Sequence, residues 1–169
     1  TLLLEADDWT EVAAPRMVEE PYVFCYLFGE REYVAKVKKQ VRELTGMKVV
    51  SIPFVPRELS SDDEKIFDAG PSEFISLIKN ASLVLTDSFH ATAFYLMFQK
   101  QFFTILPGEH TNERIVDLLN MRTLSHRIVT DQTSLDTLGD TPIDYQSIPS
   151  YEPFISSSKK KKKKALRDE

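Results

Sequence analysis

Apolar and polar positions follow two rhythms along this chain, short unbroken apolar runs and longer stretches with helical spacing. Tyr22 to Phe28 is a compact apolar run closed by Gly29, which predicts a strand. Glu30 to Leu44 follows, with Tyr33, Val34, Val37, Val41 and Leu44 at helical spacing and Lys36, Lys38, Lys39 and Arg42 on the solvent face. Gly46 stands where a helix-terminating glycine is expected. Lys48 to Ile52 predicts the second strand, and strand, helix and strand make a right-handed βαβ unit.

Pro53 to Ala69 reads as loop, with an acidic patch at Asp62, Asp63 and Glu64 and a short edge element around Lys65–Phe67. Pro71 suits the first turn of a helix running to about Asn80, with Phe74, Ile75, Leu77 and Ile78 inward. Ser82 to Thr86 predicts a third buried strand, and Ala91 to Phe98 a helix apolar on nearly every side. Phe102 to Leu106 is the next strand. Thr111 or Asn112 caps a helix through Asn120, with Ile115, Val116, Leu118 and Leu119 inward. Beyond Arg127-Ile128-Val129 the pattern weakens, apart from a short helix over Ser134–Leu138. Alternating strands and helices give an α/β fold: a Rossmann-like parallel sheet of four to six strands with helices on both faces.

The expected organisation is a lead-in over residues 1–20, a Rossmann-like domain over 21–145 and a tail over 146–169, helical or disordered. Asp7 to Glu11 is a short helix in the lead-in, whose apolar residues suit docking on a body. The chain's 169 residues suffice for one domain with a real core. Of 21 basic and 26 acidic side chains, residues 156–169 hold seven and two, leaving a net charge of −10 on the rest. That acidic body argues against a nucleic-acid surface, and the Lys159–Lys164 run reads as a solvated tail. With Cys25 alone, no disulfide forms within the chain, which suits a reducing compartment. No apolar run reaches membrane-spanning length, and Leu2-Leu3-Leu4 meets Glu5, Asp7 and Asp8 without the basic leader of a secretory signal.

Chemistry concentrates after the Ser82–Thr86 strand. Thr86, Asp87, Ser88, His90 and Thr92 lie at a strand-to-helix corner, where open α/β sheets hold ligands. His90 stands at the start of the helix, where free N–H groups and the helix dipole favour an anion, and an imidazole can exchange a proton near neutral pH. Asp87 and Ser88 serve equally as turn-formers and caps, or as an orienting carboxylate and a ligand contact. A Ser-His-Asp hydrolase is weakly supported, since triads assemble from distant loops and the G-x-S-x-G elbow is absent. Glu109, Asn112 and Arg114 follow the next strand and open on the same edge. Arg114 lies in a first helical turn, where a cation opposes the dipole and an anionic ligand would explain it. Gly29 and Gly70 lie on that edge too, as turn glycines or as points of close ligand approach. His90, His110 and His126 are too scattered for metal-ligand spacing, and no Gly-rich phosphate loop is present.

The block GPSEFISLIKNASLVLTDSFHATAFYLMFQKQFFTI, followed by NERIVDLL and HRIV, resembles the carboxyl-terminal half of the polysaccharide pyruvyl transferase family. PYVFCYLFG, VVSIP and LLLEADDW fit its earlier strands and interdomain lead-in, so the likeness spans roughly residues 1–130. It implies one half of a glycosyltransferase-B type two-domain fold, with the active site in the cleft and the amino-terminal domain as the missing partner. It also implies transfer of the pyruvyl group of phosphoenolpyruvate to a sugar of a cell-surface or exopolysaccharide precursor, as a cyclic ketal. Phosphoenolpyruvate is then a donor substrate, and no cofactor is needed. The setting implied is bacterial and cytoplasmic, with peripheral contact at the inner membrane face left open. This domain alone would be inactive, since the cleft needs both halves. In better-studied branches an Arg-hydrophobic-His step carries the acid/base histidine. Here Ser88-Phe89-His90 keeps the histidine and replaces the arginine, so that Ser88, Arg114, Asn112, Gly29 and Gly70 are the expected donor contacts. Thr86, Asp87 and Thr92 are the expected orienting groups. Competing readings are a nucleotide-sugar glycosyltransferase domain of the same fold and a non-catalytic sugar- or anion-binding module.

Overall fold

The computed structural model describes residues 5–28, 32–53, 63–106, 113–133 and 142–148. Six parallel strands form one sheet: β1 Tyr22–Tyr26, β2 Lys48–Ser51, β3 Glu64–Lys65, β4 Leu83–Thr86, β5 Gln101–Ile105 and β6 Ile128–Val129. Their spatial order is β3-β2-β1-β4-β5-β6. The chain therefore steps outward from β1 in one direction and returns to step outward from β4 in the other. That reversal is the topological switch point of a Rossmann-like sheet, where a crevice opens at the carboxyl ends of the strands. The helices are α1 Ala6–Val12, α2 Glu32–Thr45, α3 Pro71–Asn80, α4 Phe89–Met97 and α5 Glu113–Met121. Because α2 to α5 connect parallel strands, each begins at that carboxyl edge.

The inner strands are buried on both faces, and alternate residues feed two cores. On one side Tyr22, Phe24, Val84 and Phe102 pack with Ile75, Ile78, Phe94, Tyr95, Ile115 and Leu119 of α3, α4 and α5. On the other, Val23, Cys25, Val49, Leu85 and Phe103 pack with Val34, Val37 and Val41 of α2. Burial pushes the Cys25 thiol up to about 12, opposed by the charges of nearby Lys38 and Arg42 and reinforced by that of Asp63. The lead-in docks through Trp9, whose ring meets Phe94 edge-on at 4.9 Å. Ala14 N–H donates to Ser72 O at 3.0 Å, and Ser76 Oγ donates to Pro15 O at 3.0 Å.

Several details differ from the sequence expectation. Strand β1 stops at Tyr26, because the Phe28 N–H turns to the Asp87 carboxylate. Helix α4 starts at Phe89, two residues early, because Ser88 caps it. Lys38 is not on the solvent face. It is buried and donates to Asp63 at 2.5 Å, with Arg42 joining the same carboxylate at 3.2 Å. The acidic patch before β3 thus turns inward at Asp63, while Leu44, expected inside, is 51% exposed. Residues 142–148 return to the start of β5, where the Gln101 amide exchanges two hydrogen bonds with the Ile143 backbone at 2.7 and 3.1 Å. The expected Ser134–Leu138 helix and the tail beyond residue 148 lie outside the described residues.

Candidate functional site

The corner after β4 is built by its own polar side chains. Thr86 is fully buried, and its Oγ1 donates to Tyr26 O at 2.6 Å across the switch point while accepting Ser88 N–H at 3.0 Å. Asp87 receives Phe28 N–H on both carboxylate oxygens, at 3.1 and 3.2 Å, which ties the end of β1 to the end of β4. Ser88 is the N-cap of α4, and its Oγ accepts Ala91 N–H at 3.4 Å. Thr92 Oγ1 donates back to Ser88 O at 2.8 Å. These four residues satisfy the polar groups of a buried turn, as a buried backbone requires. They hold the corner in place.

What the corner presents to solvent is different. His90 is the second residue of α4 and is exposed. The N–H groups of Phe89 and His90 have no acceptor among the described residues, so the helix start keeps two free donors. Arg114, the second residue of α5, is exposed and lays its guanidinium over the Phe89 ring, 4.1 Å from the ring centre. The Phe89 and His90 rings meet edge-on with centres 5.9 Å apart. Imidazole, guanidinium and two helix N–H groups therefore flank one phenyl ring. Such a set has the chemistry to meet an anion and to exchange a proton with it. The stack also adds what sequence position alone did not show: Arg114 has a protein partner in the Phe89 ring.

Gly70 lies on the far side of the switch point, as the N-cap of α3, with extended backbone. A Cβ there would stand 2.9 Å from Glu73 Oε2, so the missing side chain makes room for the Glu73 carboxylate. Hydrogen bonds from its own N–H, then from the Ser72 hydroxyl at 3.0 Å and from Gly70 N–H, hold the Glu73 carboxyl below the usual carboxylate range. Gly70 also borders a pocket of about 350 Å³ with Tyr26, Ile52, Ala69, Pro71 and Phe74. Sequence reading placed Tyr26 and Phe74 in the core and did not see this pocket. The available signal was position, since one ends a strand and the other begins a helix at the same edge. Burial, then the charge of Asp87, raises the Tyr26 hydroxyl above its ordinary value. Gly29, Glu109 and Asn112 lie outside the described residues. Among the described residues no group of three or more His, Cys, Asp or Glu side chains could hold a metal ion, and no helix is long and apolar enough to cross a membrane.

The sequence profile described as polysaccharide pyruvyl transferase matches residues 20–108, more than half of the chain. The chain belongs to that family. No curated protein and no solved structure matches it. Within this polysaccharide pyruvyl transferase domain the matched stretch holds β1 to β5, both sides of the switch point and His90, and it stops short of Arg114. The corner and the pocket are therefore family territory, while the arginine beside them comes from the chain beyond the match.

Proposed function

We propose that this domain binds phosphoenolpyruvate at the α4–α5 corner and transfers its pyruvyl group to two hydroxyls of a saccharide as a cyclic ketal. The observation that carries the reading is the joint placement of His90 and Arg114 around Phe89 at the start of α4. Arg114 and the free N–H groups of Phe89 and His90 hold the donor's phosphate and carboxylate. His90 moves the proton. The methylene carbon of the enol phosphate gains a proton and becomes a methyl group, while a sugar oxygen bonds to the adjacent carbon and gives up its own proton. The second hydroxyl then displaces phosphate from that carbon, closing the ketal, and its proton leaves with the phosphate. One imidazole can serve as acid and then as base.

In this reading the domain is the carboxyl-terminal half of a two-domain enzyme. Ser88 stands where better-studied branches carry an arginine, and Arg114 supplies the charge instead. The experiment is a reaction of the full-length enzyme with phosphoenolpyruvate and a saccharide acceptor in deuterated water. Saccharide-dependent phosphate release, with one deuterium in the methyl group of the ketal, is the expected result. Phosphate release without a ketal, or no release with any saccharide, would contradict the proposal.

A further inference from the structure

We propose that the Tyr26–Phe74 pocket is a subsite for a neutral hexose ring of the acceptor, an inference that rests on the pyruvyl transfer reading above. The pocket is apolar and aromatic, with Tyr26 and Phe74 ring centres 4.6 Å apart and tilted. Phe28, 53% exposed, meets the Tyr26 ring edge-on at 5.3 Å and extends the aromatic surface toward solvent. Flat aromatic surface suits the C–H face of a pyranose, and a pocket with a few fixed polar groups suits orientation.

Charge selects among occupants. No basic side chain is among the described residues lining the pocket, and the start of α3 is already held by the Glu73 carboxylate. A phosphate there would meet a negative charge where a helix start would otherwise welcome it. A nucleotide or the anionic donor is therefore disfavoured. A neutral sugar ring, by contrast, brings no charge to be repelled.

Position completes the argument. Tyr26 pairs with Thr86 across β1 and β4, and Thr86 Oγ1 binds both Tyr26 O and Ser88 N–H. The pocket floor is thus one strand spacing, about 4.8 Å, from the strand that carries the His90 corner. A ring seated against Tyr26 and Phe74 puts its hydroxyls on the same crevice as the donor.

The test is saturation-transfer NMR on the full-length enzyme with methyl hexopyranosides, uridine and phosphoenolpyruvate as separate probes. Hexoside ring protons should receive saturation, and phosphoenolpyruvate should not displace them. Phe74→Leu should weaken hexoside binding by about tenfold, the scale of a lost aromatic contact. Phe28→Ala, on an exposed side chain, should weaken it several-fold without altering the fold. Absent hexoside binding, unchanged affinity in Phe74→Leu and Phe28→Ala, or uridine binding in place of hexoside would each overturn the subsite. Failure of the transfer reading would show separately, as hexoside binding without phosphoenolpyruvate-dependent ketal formation.

Discussion

The Arg114 guanidinium rests 4.1 Å from the centre of the Phe89 ring, which joins the start of α5 to the start of α4. A stacked guanidinium keeps its planar donors free at the edges, so the ring orients the cation without consuming its hydrogen bonds. Arg114→Ala in the full-length enzyme should weaken phosphoenolpyruvate binding by about 1.5–3 kcal/mol, the scale of a charge-assisted hydrogen bond, with the melt unchanged. Titration calorimetry reads this directly. Unchanged affinity would remove Arg114 from the donor site.

Asp63 is the hinge of a buried ion cluster. Its side chain is 2% exposed and lies 2.5 Å from Lys38 Nζ and 3.2 Å from Arg42 Nη2. Asp63→Ala removes a buried carboxylate that bridges two cations, and breaking a buried ion pair from one side costs about 3–5 kcal/mol. Denaturant unfolding should show that loss, whereas Lys36→Ala, at an exposed pair with Glu32, should change stability by less than about 0.5 kcal/mol. A small effect of Asp63→Ala would mean that water reaches the cluster.

Much of this architecture is legible in the chain. Tyr22–Tyr26, Lys48–Ser51, Leu83–Thr86 and Gln101–Ile105 announce themselves as apolar runs, and Pro71 and Gly46 mark helix ends. The left-handed Gly46, with its N–H on Arg42 O at 2.9 Å, is the expected terminator. The polar corner and His90 are legible too, because polarity arrives abruptly after an apolar strand. What the chain conceals is pairing at long range. Lys38 and Asp63 are 25 residues apart and look like ordinary surface positions until the sheet brings them together, and Arg114, 25 residues after Phe89, stands out in the sequence without showing its ring partner. Tyr26 and Phe74 hide for another reason: an aromatic residue that lines a pocket has the same local pattern as one that fills a core.

Thr123 adopts a left-handed backbone, φ 56°, after α5, where Leu124 N–H reaches Leu119 O at 2.8 Å. A β-branched residue is strained there, and glycine is not. Thr123→Gly should therefore raise stability by roughly 0.5–1 kcal/mol, the left-handed penalty less the entropy cost of glycine. A lower melting temperature would contradict this account of the turn.

Cys25 should be silent toward thiol reagents in the native protein at neutral pH, since its thiol is pushed up to about 12 by burial. The neutral thiol is favoured on folding, so the native chain binds more protons than the unfolded one above the ordinary thiol pKa of about 8.5. Stability from this group is full below that pH and falls as pH rises toward 12. Alkylation kinetics at pH 7 with and without denaturant check it. Rapid native labelling would contradict the burial.

The central claim is that His90 moves the proton during pyruvyl transfer. The direct measurement is turnover and phosphoenolpyruvate affinity of the full-length His90→Gln enzyme, in which glutamine preserves size and hydrogen bonding and cannot shuttle a proton. The account predicts that kcat falls by about 10²–10⁴-fold, the usual contribution of a positioned acid/base group, while donor affinity and melting temperature stay near those of the parent. Near-parental turnover in His90→Gln would contradict it, as the histidine would then be only a donor contact or cap. A collapse of melting temperature would contradict it equally, as the mark of a structural residue.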